Sequence, residues 1–199
     1  MNELIDTGDI LASMLQDVFT EVNIYEDDIR FVQSQFLSPI ATNGAIAFYR
    51  YFIEDTTYVD GNKCIQVSFG PNNSRDFGFT GSLYIMADST FRIAKADISI
   101  PIKSTVNYVK RINIAQQFTQ LPSGEQVLAK NDMFVLLEAA KFLKTLEVKR
   151  YTEYTNYSFE PLSDRLFRFR GNTKIEPDAM MQEDKFWAQH RTEQLTKSE

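Results

Sequence analysis

Residues 77–100, FGFTGSLYIMADSTFRIAKADISI, contain two runs of alternating apolar and polar side chains joined by a short polar bend. Successive side chains of a strand point to opposite faces, so each run predicts one apolar face and one polar face. The predicted apolar face contains Phe77, Phe79, Leu83, Ile85, Ala94, Ala96, Ile98 and Ile100. Antiparallel sheets tolerate one face in water, whereas parallel sheets are usually covered on both faces. The pattern therefore predicts a half-buried antiparallel hairpin.

The strand pattern continues on both sides of this hairpin. Further strand-like runs occupy residues 45–55, 63–69, 107–118, 125–140 and 142–154. They are separated by VDGN, GPNNSRD and PSG, whose residues favour turns and loops. We expect a mostly β (α+β) fold in which residues 45–159 form a curved antiparallel meander of about six to eight strands.

Helical spacing characterises the beginning of the chain. In TGDILASMLQDVFTEVNI, apolar residues recur at the interval of an amphipathic helix, with Thr7 or Asp9 as the N-cap. The next segment, YEDDIRFVQSQFLSPIA, is predicted to be a second short helical or irregular piece that ends at Pro39. Residues 1–44 are thus expected to be a helical cover on the apolar face of the sheet, within the same domain.

Polar residues dominate 160–199, which is predicted to be an extended arm leaving the sheet. Thr196 and Glu199 have the spacing of a capping box, in which both side chains satisfy free backbone amides at the start of a helix. We therefore expect the arm to lead into a further C-terminal region that is missing from this sequence.

The charge balance is unfavourable for nucleic acid. The chain has 21 basic and 27 acidic residues and a formal net charge of −6, and no basic patch is segregated along it. The single cysteine, Cys64, excludes an internal disulfide and a multi-cysteine metal site. A signal peptide and an apolar run long enough to cross a bilayer are both absent from the sequence.

No combination of residues forms a recognisable catalytic signature. His190 is the only histidine, and the cluster Glu26, Asp27 and Asp28 lacks the alternating ligands of a calcium loop. The adjacent Glu54 and Asp55 are best interpreted as a strand end. We expect no enzyme activity, no cofactor and no metal; a hydrolase would require a cleft that joins His190 or two carboxylates.

Tyrosines cluster towards the end of the predicted sheet. Tyr151, Tyr154 and Tyr157 are candidates for an interaction surface, because exposed tyrosines combine apolar area with a polar group. The alternative is that they cover the edge of the sheet or hold down the departing arm.

A series of segments resembles a known family. In order they are NIYEDDI, SPIA, FYRYFIEDT, PNN, FGFTGSLYI, NYVKRINIAQQF and FWAQHRTEQLTKSE. Together, from about Val22 to the end, they resemble the central region of an uncharacterised group of large Gram-negative (Bacteroides-type) outer-membrane proteins. The resemblance implies a carboxypeptidase-regulatory-like domain upstream, a β-barrel downstream, and a periplasmic position for this segment.

A second resemblance concerns the strands alone. The segment DGNKC followed by GSLYI and a polar bend is similar to periplasmic lipoprotein carriers, which wrap a curved sheet around helices and shelter acyl chains. This likeness implies that the face with Ala94, Ala96, Ile98 and Ile100 is concave and faces an apolar ligand. The alternative is that helix side chains fill the same space, as close-packed cores require.

These observations lead to two functional hypotheses. The first is a non-enzymatic interaction or structural module on the periplasmic side of the outer membrane, whose partner is an envelope protein and whose parent protein is membrane-embedded elsewhere. The second is the binding or carriage of a hydrophobic ligand, such as an acyl lipid, in the concave sheet.

Overall fold

A computed structural model of the chain describes residues 21–31, 34–100, 109–137, 146–168 and 181–191. The chain divides into two compact units, Met1–Thr152 and Glu153–Glu199. The first unit contains a two-stranded hairpin, a one-turn helix and a seven-stranded sheet.

The seven-stranded sheet is a meander in which every strand pairs with its neighbours in sequence. Its strands are β3 (Tyr49–Val59), β4 (Asn62–Pro71), β5 (Thr80–Met86), β6 (Ile93–Ile100), β7 (Val109–Gln120), β8 (Gln126–Leu137) and β9 (Leu146–Glu153). All pairings from β3 to β8 are antiparallel. The mostly β, antiparallel fold predicted from the alternating runs is therefore confirmed.

The turn between β3 and β4 shows how local sequence sets the register. Val59 pairs with Asn62, and the two residues between them, Asp60 and Gly61, have φ values of 47° and 80°. A two-residue hairpin turn with positive φ at both positions matches the right-handed twist of the flanking strands. The predicted VDGN turn lies where the sequence places it.

A second, short hairpin lies where the sequence predicts a short helical or irregular segment that ends at Pro39. It consists of β1 (Asp28–Phe31) and β2 (Ser34–Leu37). Burial alternates along β1, where Ile29 and Phe31 are buried and Asp28 and Arg30 are exposed. The helical alternative is wrong at Asp28–Phe31 and Ser34–Leu37, which are strands, and Ile29 and Phe31 are buried two residues apart as a strand requires. The helix predicted over residues 7–24 falls almost entirely outside the described residues.

A single helical turn, α1 (Ala45–Phe48), precedes β3, where the sequence pattern predicts a strand from Ala45. It begins at Gly44, whose φ of 89° lies in the left-handed region that favours glycine.

The main hydrophobic core lies between the sheet and the β1–β2 hairpin. Phe36 of the hairpin stacks on Phe79 with ring centroids 4.7 Å apart, and it lies at the same distance from Phe77. The buried side chains of this core that come from the sheet include Leu83, Ala96, Ile98, Ile100, Ile112, Ile114, Met133 and Val135. The hairpin and the sheet thus bury their apolar faces against each other.

Tyr49 links the hairpin to the sheet by hydrogen bonds. Its side chain is 1% exposed, and its hydroxyl donates to the backbone carbonyl of Leu37 at 2.6 Å. The same oxygen accepts the backbone N–H of Phe79 at 3.2 Å. Burial raises the pKa of Tyr49 to about 12, because the phenolate would lose its hydration there.

A β-bulge in β6 moves one predicted side chain off the apolar face. Tyr84 pairs with Lys95, but the next residue, Ile85, pairs with Ile93, so Ala94 has no residue opposite it. Ala94 consequently packs with Cys64 and Met86 in a small cluster separate from the main core. The prediction that Ala94 shares a face with Ala96, Ile98 and Ile100 is wrong, since a bulge interrupts the alternation.

The second unit contains two short helical segments among its described residues. A 3₁₀ turn covers Asp164–Phe167, with the Ser163 hydroxyl accepting from the backbone N–H of Arg165. The helix α2 spans Asp184–His190 and has no buried side chain. The predicted polar arm, 160–199, falls within this unit, and its residues 169–180 and 192–199 lie outside the described part of the chain.

Gly81 provides a steric test of the sheet. A Cβ atom at this position would lie 1.9 Å from the backbone carbonyl oxygen of Asp97, so β5 approaches β6 too closely for any side chain. We expect Gly81→Ala to lower the free energy of unfolding by about 3 kcal/mol in urea denaturation. Gly70→Ala is the matched control, because its Cβ would meet only a methyl group at 3.5 Å. Equal stability of the two variants would contradict the described β5–β6 geometry.

Tyr49→Phe tests the connection between hairpin and sheet. Removing the hydroxyl leaves the Leu37 carbonyl and the Phe79 amide unpaired, which should cost about 2 kcal/mol. Tyr58→Phe, at a side chain that is 70% exposed, should change stability little.

The stability difference between wild type and Tyr49→Phe is also expected to depend on pH. The pKa of Tyr49 is about 12 in the folded state and 10.0 in its ordinary state, so the unfolded chain loses this proton first. Stability contributed by the protonated phenol is therefore fully present below pH 10 and is lost as the pH rises towards 12. The stability difference between wild type and Tyr49→Phe should shrink over this range; a constant difference would show that the phenol is not buried.

Candidate functional site

The face of the sheet opposite the main core carries a groove of about 350 Å³ that crosses β5 to β9. Side chains reach it because residues on these strands alternate between the core and this outer face. The outward side chains that line it are Ser82, Asp97, Ser99, Asn113, Ala115, Asp132, Phe134, Lys149 and Tyr151. We call this surface the outer groove.

The strand register aligns the polar groups of the outer groove in a row. Ser82 pairs with Asp97, Asp97 with Ala115, and Ala115 with Asp132. Adjacent strands lie about 4.8 Å apart, so the two aspartates stand roughly 10 Å from each other. The small Ala115 side chain between them leaves the space above β7 open.

Charged groups lie close together at the Asp97 end of this row and affect the pKa of Tyr84. Lys95 Nζ lies 2.8 Å from Asp97 Oδ2 and 5.1 Å from the centre of the Tyr84 ring. Burial, helped by the negative charge of Asp97, raises the pKa of the Tyr84 hydroxyl, and Lys95 opposes this shift. Tyr84 is therefore a neutral hydrogen-bonding group beside a charged pair.

Aromatic side chains form the other end of the outer groove. Tyr151 of β9 is 57% exposed, and Phe134 of β8 is partly exposed beside it. Aromatic rings next to carboxylates and an amide can hold an extended, polar chain, because each ring offers apolar area while the polar groups fix orientation. The groove thus has the chemistry of a recognition surface.

A second cavity, of about 470 Å³, lies on the core side of the sheet, at the ends of β7 and β8. Its described lining consists of Glu21, Val22, Asn23, Tyr25, Gln116, Phe118, Gln126 and Leu128. We call it the core-side cavity. Tyr25 packs edge-on against Phe118 with centroids 5.5 Å apart.

The four residues of β6 that were predicted to face a ligand do not form a shared lining of the outer groove or of the core-side cavity. Ala96, Ile98 and Ile100 are 0%, 2% and 4% exposed and pack in the main core. Ala94 is 1% exposed in the separate cluster. Of this set, only Ile98 borders the outer groove, and Ala96 and Ile100 border neither opening.

The three candidate tyrosines are divided between the two units. Tyr151 lies on β9 in the first unit and lines the outer groove. Tyr154 is partly buried and Tyr157 is 37% exposed in the second unit. Tyr151 is thus the member of the set that belongs to a described groove.

The acidic and histidine candidates serve local structure. His190 stacks on Phe186 with centroids 4.1 Å apart, and its Nδ1 lies 2.8 Å from the Phe186 carbonyl oxygen. Asp27 accepts the backbone N–H of Thr42 at 2.7 Å, and Glu54 accepts a hydrogen bond from the Ser68 hydroxyl. Within the described ranges, no three His, Cys, Asp or Glu side chains converge as metal ligands.

Two residues of the site were missed from the sequence although a signal for them exists. Gln116 and Asn131 interrupt otherwise apolar, core-facing positions of β7 and β8, and they lie opposite each other in the register. A polar residue within an apolar alternation is a detectable signal. The row of polar side chains in the outer groove was harder to predict from the sequence, because it depends on how four strands align.

The chain is thus a mostly β domain whose seven-stranded sheet has one packed face and one grooved face. It belongs to a family of unknown function, DUF5686, whose model matches residues 7–157. This match begins before Val22 and ends before the FWAQHRTEQLTKSE segment, in contrast to the extent assigned from the sequence. No curated protein and no solved structure matches the chain. Among the helices in the described part of the chain, none is sufficiently long and apolar to cross a membrane.

Asn131→Leu tests the role of the buried Asn131 amide on the core side of the sheet. Asn131 is fully buried, and among the described residues neither its Oδ1 nor its Nδ2 has a hydrogen-bond partner. Replacing it by an apolar side chain of similar size removes a desolvation penalty, so stability should rise by about 1 kcal/mol. The matched variant Gln116→Leu should lower stability, since it removes the bond from Nε2 to the Val22 carbonyl. A loss of stability in Asn131→Leu would contradict this description.

Proposed function

We propose that the chain is a non-enzymatic interaction module in a larger outer-membrane protein, and that it lies on the periplasmic side. The periplasmic position and the membrane-embedded parent rest on the resemblance of its segments to Gram-negative envelope proteins. Membership of a family of unknown function is compatible with this role.

The observation that carries the proposal is the outer groove with its row of polar side chains. Asp97 and Asp132 flank the small Ala115, and exposed Tyr151 closes one end. The groove combines two carboxylates, of which Asp97 is paired with Lys95, with the Lys149 ammonium and with hydroxyl, amide and aromatic groups. Asp97 and Asp132 stand two strand spacings apart, roughly 10 Å, which is wider than the roughly 5 to 9.5 Å of a glycosidase carboxylate pair, so we favour binding over catalysis.

The partner that fits is an extended protein segment with a basic side chain. A Lys or Arg placed over Ala115 would lie between the two carboxylates, and the net charge of −6 favours approach of a positive segment. An apolar residue of the same segment would pack on Tyr151 and Phe134. The same charges disfavour nucleic acid as a partner.

Carriage of an acyl lipid against β6 receives no support from the packing. Ala96, Ile98 and Ile100 lie in the same core cluster as Ile29 and Phe36 of the β1–β2 hairpin. An acyl chain at this face would have to displace the hairpin and expose its buried side chains. We therefore place the interaction on the opposite face.

Site-specific photo-crosslinking in cells that express the whole parent protein tests the proposal. A photoreactive residue at exposed Asn113, in the middle of the outer groove, should crosslink one envelope protein. The same residue at exposed Gln35 on the hairpin is the positional control and should not give this product. Tyr151→Ala and Ala115→Trp should each lower the Asn113 product by about tenfold, as expected for a central contact.

Tyr58→Ala is the matched tyrosine control, because its side chain is 70% exposed on β3 and does not line the groove. It should leave the crosslinked product unchanged. Identical products from Asn113 and Gln35 would overturn the outer groove as the contact surface. A cytoplasmic protein as the main product would overturn the periplasmic position.

A further inference from the structure

The strand β3 forms an exposed edge of the seven-stranded sheet. It has 11 residues, and among the strands in the described part of the chain it pairs only with β4. Two of its large apolar side chains face water, because Phe52 is 55% exposed and Ile53 is 78% exposed. The open side of an edge strand presents backbone N–H and C=O groups that can pair with another strand, and exposed apolar side chains favour such pairing.

The hydrogen bonds beside β3 show which of its backbone groups face the open edge. The carbonyl of Phe48, just before β3, accepts the backbone N–H of Asn72 at 2.8 Å, so the Phe48 carbonyl points towards β4. Backbone groups of successive strand residues point alternately to the two neighbouring strands. The backbone groups of Phe52 therefore also face β4, and those of Tyr51 and Ile53 face the open edge.

Opposite charges flank Phe52 on the outer face of this edge. Phe52 pairs with Ser68, which pairs with Ser82 of the outer groove, and Arg50 lies two residues before Phe52 on the same face. A bulge at Glu54 interrupts the alternation, but the Glu54 carboxylate accepts a hydrogen bond from the Ser68 hydroxyl and so lies on this face as well. Arg50 and Glu54 are both exposed.

Residues 50–54, RYFIE, are complementary to themselves when two copies run antiparallel about a two-fold axis at Phe52. Arg50 then lies opposite Glu54 of the partner subunit, and Phe52 lies opposite its own copy. Tyr51 lies opposite Ile53 of the partner subunit, and these two residues can exchange both backbone hydrogen bonds. Opposite charges and aromatic pairs placed directly across two antiparallel strands are stabilising, whereas like charges are destabilising. An axis at Tyr51 or at Ile53 would place Phe52 opposite a charged residue, so the sequence favours the axis at Phe52.

We propose that β3 pairs with β3 of a second copy of this chain and joins the two sheets into one antiparallel sheet. Backbone hydrogen bonds supply the attachment, and the cross-strand side-chain pairs select the register. The bulge at Glu54 limits the pairing to the first half of β3, because a bulge bends and twists the strand that carries it. The outer groove spans β5 to β9, so this contact is separate from the proposed contact with an envelope protein.

Charge reversal tests the register of the dimer. Sedimentation equilibrium of the full chain at about 5 to 500 µM should show a monomer–dimer equilibrium. Arg50→Glu and Glu54→Arg should each weaken the dimer by about tenfold, because symmetry places like charges opposite each other at two positions. An equimolar mixture of the two variants should recover wild-type association, since every reversed charge then lies opposite its counterpart. Arg30→Glu, at an exposed arginine of β1, is the matched control and should leave association unchanged.

Cysteine crosslinking tests the position of the two-fold axis. Phe52→Cys places two thiols directly opposite each other at a pair without mutual backbone hydrogen bonds, where side chains approach closely. Mild oxidation should therefore give a disulfide-linked dimer. Tyr58→Cys is the matched control on the same strand, because its side chain is 70% exposed but lies about 40 Å from its copy in this register. It should give little crosslinked dimer, and Cys64 is buried in the chain.

Four results would overturn the proposal. The first is a chain that stays monomeric at the highest concentration. The second is a dimer that the mixture of Arg50→Glu and Glu54→Arg fails to restore, since another surface or register would then join the copies. The third is equal crosslinking of Phe52→Cys and Tyr58→Cys. The fourth is growth beyond the dimer, as expected if β3 pairs head to tail with β9 at the other edge of the sheet.

Discussion

Closure of one sheet face by the β1–β2 hairpin is the constraint on which the rest of the structure depends. An antiparallel sheet of seven strands buries a large apolar face only if another element covers it. Here Phe36 packs on Phe79, and the Tyr49 hydroxyl joins the hairpin carbonyl of Leu37 to the Phe79 amide. Apolar contact supplies most of the driving force, and the hydrogen bonds fix the position of the hairpin.

The closed face limits where a partner could contact the sheet. Because the central apolar side chains of β6 are covered, the space available to partners is on the outer face and at the β7–β8 end of the core. The outer groove carries charged groups and exposed aromatic area, and for this reason we propose a protein segment as its partner. The core-side cavity is lined by apolar side chains and by the amide residues Asn23, Gln116 and Gln126. One sheet thus offers two chemically different surfaces.

Local patterns in the sequence predict the sheet well because they are physically local. The alternation over 77–100 and the Asp60–Gly61 turn each depend on neighbouring residues, and both features appear in the structure except for the bulge at Ala94. The β1–β2 hairpin was missed because its strands have only four residues each, and their pairing depends on packing against the distant Phe79. Ala94 was misplaced because a bulge reverses the alternation, and nothing in the adjacent residues marks it.

The functional surfaces were less predictable for a different reason. Tyr151 was a candidate from its type and position, and it does line the outer groove. The row from Ser82 to Asp132, in contrast, exists only through the alignment of four strands, which is set by turns and bulges far apart in sequence. Gln116 could be noticed as a polar residue in an apolar alternation, but its unpaired oxygen is a property of the packed interior.

Native-state hydrogen exchange of the full chain tests the central claim that the hairpin is an integral cover of the sheet. Amides of β1, β2 and the adjoining Phe79 should exchange with the same opening free energy as those of β5 to β7, because they share one core. Fast exchange of the hairpin amides while β5 to β7 stay protected would contradict the account. The hairpin would then be a lid, and the apolar face of β6 would open to ligands.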